Sequence, residues 1–428
     1  MQQLRYRSFC FRAALVLFGA VVLAACGMDA DREAAVAAAD LPYASEYPAM
    51  AYGTRRPGGS LGRLAERIGT GATELRRHAV RGYLDAMLAE LEIDVSSQVL
   101  VFSRTSVQTR GITPETPRAI YFDDENYVAW SPGGPSLELA GFDPELGPVF
   151  YTLPQNPAAD SAMSREFSSC LRCHDTYSLT GGGVPRFLLG SGYIGTDGEL
   201  VSHEAWILTR QATALRFRWG GWYVTGHHGD QVHLGNIVVQ QAEDLQDLEA
   251  LRIGNIDELS ALFDTSNYLT PYSDIVALMV LEHQVEVQNL ISRLHFEAAA
   301  GNREQLDEHV EALVEAMLLV DETALTDEIS GSSGFAEYFE ALGPFDSDGR
   351  SLRQFDLQSR LFRYPLSYLI YSGGFAALPD DARSAVYGRL REVLAGSPDQ
   401  DGLESLSLAD RSAIGEILRE TLPELFSF

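Results

Sequence analysis

The chain has 428 residues, of which 46% are hydrophobic and 21% charged. This composition supports a sizeable core in one large domain or in two or three smaller ones, and it excludes collagen-like, disordered and small disulfide-scaffold proteins. With 60 acidic residues against 32 arginines and no lysine, the formal net charge is −28. A surface this acidic disfavours nucleic acid and anionic lipid headgroups as partners.

The first 25 residues predict an export signal. Three arginines precede or interrupt the start of a short apolar run, Phe11 to Leu23, and the segment ends in Leu-Ala-Ala followed by Cys26. The run is too short for a comfortable membrane span and is typical of a secretory signal peptide. The small residues before Cys26 suit a cleavage site.

The Leu-Ala-Ala-Cys string resembles the lipobox of bacterial lipoproteins, in which the cysteine becomes the lipidated first residue. The resemblance implies a lipid anchor on Cys26, and Gly27, where many inner-membrane lipoproteins carry Asp, favours the outer membrane. Ordinary cleavage nearby remains the alternative. Residues 26–60 are then predicted to be a flexible, lipidated tether.

Residues 61–154 are predicted to form a helical stretch followed by short strands. The helical pattern runs from Leu61 to Leu91, with an interruption near Gly69–Gly71. The β-like runs stand among Pro, Gly and Asp residues, at 98–102, 118–122, 127–130 and 149–153.

The segment 155–240 carries the one strong motif of the chain. Cys10 leaves with the signal and Cys26 is assigned to lipid, so Cys170 and Cys173 remain, followed at once by His174. Cys-x-x-Cys-His is the attachment pattern of c-type haem: two thiols add to the two vinyl groups, and the histidine donates an axial ligand to the iron. Attachment outside the cytoplasm agrees with the export signal.

The motif resembles that of c-type cytochromes. The resemblance implies one covalent haem c on Cys170 and Cys173, with His174 as proximal ligand. It also implies a proline carbonyl that accepts a hydrogen bond from the histidine N–H, and Pro185 is the expected residue. The alternative is that the Gly-Val-Pro stretch only forms a turn. The whole chain is also similar to large bacterial lipoproteins that carry a single embedded cytochrome motif, a likeness that implies no substrate.

Three other uses of the thiol pair stay open. A structural disulfide is possible in an oxidising compartment, and a thioredoxin-like redox pair would require a βαβ setting, which the sequence does not predict. A zinc site would join Cys170 and Cys173 to His228 and His233, since the two histidines are separated by four residues, an acceptable ligand spacing.

The sixth iron ligand has several candidates. They are His203, His227, His228, His233, His283, Met163 and Met279. His228 and His233 are favoured, because they stand in a glycine-flanked loop after two predicted short strands around Gly220–Gly221. His283 shares the apolar face of a predicted helix with Met279. The alternative to iron ligation is that His283 is a hydrogen-bonded residue of the core.

Four arginines are near enough in sequence to contact the haem propionates. They are Arg172, Arg186, Arg216 and Arg218. Arg216 and Arg218 belong to the expected haem surroundings, although alternation along the predicted strand points both mainly towards solvent.

Residues 241–428 are predicted to be mainly helical and to pack on the haem segment. The predicted helices cover 274–297, 303–320, 333–342, 352–371, 381–395 and 408–421. The expected fold class is α+β, predominantly α-helical in the C-terminal half, with a small β-rich part before and around an embedded cytochrome c-like haem segment.

These observations predict an exported, membrane-anchored monohaem c-type cytochrome that transfers electrons in the periplasm to a redox partner protein. One alternative is a haem enzyme acting on peroxide or another small oxidant at an open distal site, with the distal histidines and Arg216 or Arg218 assisting. The other is a gas- or redox-sensing haem module.

Overall fold

The computed structural model describes residues 50–105, 111–156, 162–176, 183–202, 206–241, 244–245, 247–396 and 406–426. The predicted signal peptide, Cys26, most of the tether and His203 lie outside the described residues. The prediction of a flexible tether does not hold from residue 50 onwards, because Met50 and Tyr52 are buried. Tyr52 donates a hydrogen bond to the Pro148 carbonyl, and the Arg165 guanidinium lies 4.7 Å from the centre of its ring.

A six-stranded antiparallel sheet forms from consecutive hairpins, with its strands in chain order. The strands are β1 Val99–Val101, β2 Arg118–Phe122, β3 Asn126–Trp130, β4 Ser136–Asp143, β5 Gly147–Pro154 and β6 Ser164–Glu166. All four predicted β-like runs are strands, and β4 and β6 are additions. The missed signal in β4 is the alternation of half-buried Ser136 and Glu138 with buried Leu137 and Leu139.

The predicted strands around Gly220–Gly221 do not form. Leu215–Phe217 is instead a 3-10 turn, and Trp222 and Tyr223 run along the free edge of β1, where the Tyr223 N–H donates to the Leu100 carbonyl at 2.9 Å. A side chain at Gly220 would clash with the backbone of Gly192, so two pieces of backbone approach there as closely as glycine permits. A small two-stranded sheet pairs β7 Gly190–Ser191 with β8 Ile207–Leu208.

Most of the helical residues lie in the C-terminal half, where turns and loops connect the helices. They are α1 Ser60–Gly69, α2 Leu84–Leu91, α3 Ser168–His174, α4 Ile275–Ala300, α5 Arg303–Met317, α6 Phe335–Glu340, α7 Gly373–Ala376, α8 Asp380–Ala395 and α9 Leu408–Thr421. Five of the six helices predicted after residue 270 are confirmed. Asp274 caps the start of α4, and Gly301, in the left-handed conformation, ends it.

The predicted helix over 352–371 is wrong, because only Tyr368–Tyr371 is helical there, as a 3-10 turn. The Asp356 side chain accepts hydrogen bonds from the backbone N–H groups of Gln358, Ser359 and Arg360, which closes a turn instead of a helix. The chain then doubles back, so that Phe355 and Phe362 face each other in an antiparallel bridge.

The sheet and the helices share one hydrophobic core, which runs from Tyr52 to Leu425 and confirms a mixed α+β fold. This core continues across positions 154–155 and 240–241, where the predicted segments meet. Among the described residues, none of the helices is both long and apolar enough to cross a membrane.

Candidate haem-attachment site

Helix α3 presents both thiols of the motif. It follows β6 directly, and the three-residue interval places Cys170 and Cys173 on neighbouring positions of one helical side. Both cysteines are free, Cys170 half-buried and Cys173 exposed, so the alternative disulfide is not formed. Burial raises the pKa of Cys170 to about 11, which keeps this thiol protonated near neutral pH.

His174 is oriented by backbone. Its Nδ1 lies 2.6 Å from the carbonyl oxygen of Arg186, and the Arg186 N–H donates back to the His174 carbonyl at 2.8 Å. A carbonyl only accepts, so Nδ1 carries the proton and Nε2 keeps its lone pair. Burial lowers the pKa of His174, which favours the neutral ring that binds metal.

The predicted acceptor is displaced by one residue. The carbonyl that receives the Nδ1 proton belongs to Arg186 and not to Pro185. Pro185 is buried immediately before it, and its ring restricts the backbone torsion that leads into Arg186. The Gly-Val-Pro stretch therefore lies beside the proximal histidine, as the resemblance implied, with a different carbonyl in contact.

One face of the sheet lies beside the imidazole. The Phe150 ring of β5 is 4.5 Å from the His174 ring, centre to centre. Residues opposite one another in adjacent antiparallel strands point to the same side, so the register places Phe122 and Tyr127, both buried, on the side that bears Phe150. The half-buried residues of this side are Arg118, Ile120, Ala129, Glu138, Ala140 and Thr152, and we call them the half-buried face.

Arg118 and Glu138 are the charged members of this face. They form an ion pair at 2.8 Å, with side chains 14% and 17% exposed, and both influence the pKa of His174. The Nε of Arg118 is buried without a hydrogen-bond partner. Sequence reasoning missed this pair, because the only signal was a charged residue in each of two short strands.

The described residues fit a covalently attached haem. Two free thiols, a neutral imidazole with an available Nε2 lone pair, and an orphaned guanidinium nitrogen lie in one neighbourhood. The zinc alternative does not fit, because in the described ranges no group of three or more His, Cys, Asp and Glu side chains is arranged to hold a metal ion. Cys170, Cys173, His228 and His233 are therefore not brought together.

His228 and His233 contact each other. Their rings are 4.6 Å apart, both are buried, and Trp219 lies 5.3 Å from the His233 ring. Both ring nitrogens of His228 and Nδ1 of His233 are buried without a partner. Burial, with smaller contributions from His228 and Arg252, lowers the pKa of His233 to about 3, so the ring is neutral.

The structure does not bring this histidine pair to His174. The segment before the pair follows the outer edge of β1, whereas His174 packs on β5, and the four strand spacings between β1 and β5 amount to about 19 Å. Helix α4 gives a similar separation: Asp274 bridges to Thr225 at one end, and Asn289, about 22 Å further along, holds the backbone of Phe187 next to Arg186.

The remaining ligand candidates are engaged or placed elsewhere. His283 is fully buried, with Nδ1 bonded to Gln211 at 2.7 Å and Nε2 to Ser367 at 2.8 Å, an arrangement that matches the hydrogen-bonded core alternative. Met279 is buried in the main core, and Met163 is half-buried just before β6. His227 is exposed and contacts Asp257.

The predicted solvent-side position of Arg218 is wrong. Its buried guanidinium pairs with Glu282 at 2.9 Å and donates to the carbonyls of Thr213 and Gln211, because the 3-10 turn before it replaces the predicted strand. These bonds commit Arg218 to the core. Arg216 is exposed and stacks on Phe217.

The other two predicted arginines differ in burial. Arg172 is exposed on α3. The side chain of Arg186 is half-buried with an unpartnered Nε, and it borders a cavity of about 280 Å³ between α4, α5 and the segment around β8.

Comparison of the chain with protein-family models, curated proteins and solved structures found no match.

Proposed function

We propose that the protein is an exported, lipid-anchored monohaem c-type cytochrome that transfers single electrons in the periplasm. The observation that carries the proposal is the state of His174 within Cys-x-x-Cys-His. A backbone carbonyl holds its Nδ1 proton, so Nε2 is available as an iron ligand next to two free thiols.

Each residue of the site has a defined task. Cys170 and Cys173 hold the cofactor by thioether bonds, His174 supplies the proximal ligand, and the Arg186 carbonyl fixes the orientation of the ring. Phe150 packs against the imidazole and limits its rotation. When bound, the haem supplies a one-electron redox centre.

The placement of the residues that the sequence assigned to a peroxide enzyme favours electron transfer over that alternative. An enzyme acting at the iron needs acid, base and cationic groups beside it. His228 and His233 lie at the opposite edge of the sheet, Arg218 is committed to Glu282, and Arg216 stacks on a surface phenylalanine. The catalytic set expected from the sequence is therefore not assembled around His174.

The location rests on the sequence. The signal peptide, Cys26 as lipidation site and Gly27 as its neighbour support anchorage at the outer membrane, facing the periplasm. The partner is a periplasmic redox protein. A lipid anchor confines such a carrier to the membrane surface, where it meets partners by lateral diffusion.

The test is production of the full chain in a host that matures c-type cytochromes, followed by mass spectrometry of the mature protein. We expect one covalent haem, its loss in the double variant Cys170→Ala/Cys173→Ala, and an altered spectrum in His174→Ala. A mature wild-type protein without the added tetrapyrrole mass would refute the proposal.

The same material separates the alternatives. Addition of carbon monoxide to the reduced protein tests whether the iron has an open position: an unchanged spectrum supports an electron carrier, and a shifted spectrum supports the enzyme or the gas sensor. The control is His228→Ala, which we expect to leave the spectrum unchanged because His228 lies far from His174 in the fold. A spectral change in this variant would contradict that placement.

A further inference from the structure

We infer that the half-buried face of β2 to β5 is the haem-binding surface, with Arg118 binding a propionate and Glu138 lowering the reduction potential. The inference rests on the proposed function and names residues that the sequence motif does not contain. Its starting point is the direction of the His174 ring.

The imidazole has only one side left for a ligand. Its Nδ1 edge is held by the Arg186 carbonyl, so Nε2 lies on the opposite edge of the ring. The ring itself packs against Phe150, whose register partner Ala140 is a member of the half-buried face. The half-buried face is therefore the sheet surface next to the ring that would carry the cofactor.

The shape of the face suits a flat ring system. It spans four strands, about 14 Å in the direction of the sheet hydrogen bonds. Ala129 provides low relief and Ile120 adds apolar contact, whereas Ala140 stands between the buried rings of Tyr127 and Phe150 at one margin of the face. Ala129, Ile120 and Ala140 are half-buried although the opposite side of the same strands is fully packed, so apolar surface is available here for a cofactor to cover.

Arg118 has an unused donor at this surface. Its Nη1 pairs with Glu138, while its Nε is buried and has no partner, a costly state for a polar group. A guanidinium binds a carboxylate through two parallel N–H groups, and a haem propionate is a carboxylate. Binding at Arg118 would satisfy this orphaned nitrogen.

Glu138 adds a negative charge in a partly desolvated position. Its side chain is 17% exposed, and it lies two positions along β4 from Ala140, the register partner of Phe150. A nearby negative charge favours the more positive, oxidised iron, and the effect is larger in a low-dielectric setting than in water. Glu138 is therefore expected to hold the potential low, and Arg118 to oppose it.

The experiment measures the midpoint potential of the haem-loaded full chain by optical titration. For Glu138→Gln we expect about a tenfold increase in the ratio of reduced to oxidised haem at a fixed solution potential, equivalent to about 59 mV for one electron. Arg118→Gln is expected to shift the ratio in the opposite direction, and Arg118→Lys, which keeps the charge, to remain near wild type.

The matched control is Glu199→Gln. Glu199 also pairs with an arginine, Arg104, at 3.1 Å, but it lies beyond the β1 edge, and its side chain is 59% exposed. We expect this variant to keep the wild-type potential. Far-UV circular dichroism of each variant confirms that the fold is intact, and Glu138→Gln provides the test even where Arg118→Gln does not fold.

The outcomes separate the two claims. Haem-loaded variants of Glu138 and Arg118 whose potentials differ from wild type no more than Glu199→Gln does would overturn the haem surface and leave the cytochrome assignment standing. Shifts of both variants in the same direction would also overturn it. Wild-type protein without covalent haem would remove the proposed function and this inference together.

Discussion

His283 shows how a single buried side chain is balanced in this protein. Both of its ring nitrogens are bonded, one to Gln211 and one to Ser367, inside a core that excludes water. Arg218 and Glu282, the residue before His283, are also buried, and their opposite charges form an ion pair at 2.9 Å. A buried polar or charged group is tolerated when it has a partner, and it destabilises the fold when a change of pH alters its charge and breaks the pairing.

The pH dependence of stability tests this balance at His283. Burial lowers its pKa to about 3, against about 6.5 in an unfolded chain. Between these values the unfolded state binds a proton that the native state refuses. The contribution of His283 is therefore complete above pH 6.5 and falls towards pH 3, by about 1.4 kcal/mol per pH unit.

Replacement His283→Gln keeps a polar side chain and removes the titration. We expect the free energy of unfolding in urea to depend less steeply on pH between 6 and 4 than it does in wild type. Parallel pH profiles for the two proteins would show that the ring is protonated in the native state. Buried carboxyls such as Glu322, whose pKa is raised to about 7 by burial, act in the opposite sense in both proteins and cancel in the difference.

At the scale of elements, the start of α4 connects the sheet region to the helical half. The buried carboxylate of Asp274 accepts from the N–H groups of Val276 and Ala277 in the helix, and from Ser332 and Ser333 in the loop before α6. One side chain thus caps the helix and fixes a distant loop. Helix capping is usually local, and here it also carries tertiary structure.

Asp274→Ala is expected to lower the free energy of unfolding by about 3 kcal/mol or more, because it removes the cap and leaves buried N–H groups without an acceptor. Chemical denaturation measures the loss. The matched control is Asp381→Ala in the first turn of α8, which gives up an exposed ion pair with Arg303 and should cost less than about 1 kcal/mol. Equal losses in the two variants would contradict the role assigned to Asp274.

Two glycines make a second comparison between elements. Gly220→Ala places a Cβ against the backbone of Gly192, which cannot move without displacing β7, so we expect a loss of about 2 kcal/mol or more. Gly388→Ala on α8 has free space, with only the tip of Arg391 nearby, and should stabilise the protein by up to about 1 kcal/mol. Thermal melting distinguishes the two signs, and a stabilised Gly220→Ala would refute the close approach.

At the scale of the whole molecule, one hydrophobic cluster joins the sheet, the motif region and the C-terminal helices. Leu171 of the motif helix and Leu425 near the C-terminus belong to the same cluster. Regions that bury surface against each other gain stability only when both are folded. The protein is therefore expected to unfold as one unit.

Two optical probes test this expectation because they report on different regions. All four tryptophans lie between Trp130 and Trp222, whereas the long helices begin at Ile275. We expect the tryptophan fluorescence and the far-UV circular dichroism to give coincident denaturation curves. Separate midpoints would show that the helical half and the sheet region are independent folding units.

Local sequence patterns account for much of the fold. The apolar positions after Asp274 predict the start of α4, and the β-branched and aromatic residues between Pro and Asp predict 118–122 as a strand. The pattern fails where local side-chain bonds compete, as at Asp356, or where backbone packing decides, as at Gly220. In the site, the motif identifies Cys170, Cys173 and His174, but it does not predict Arg118, which is distant in sequence.

By itself, the sequence determined the mixed α+β class, the positions of most helices and of four strands of the larger sheet, and the hypothesis of a covalently bound haem, because these depend on residues a few positions apart. Only the tertiary structure decided that the Arg186 carbonyl orients His174, that Arg218 turns inward to Glu282, and that His228 and His233 lie at the far edge of the sheet. The physical reason is that periodicity reveals which side of an element is buried, whereas strand order and helix packing determine what covers that side.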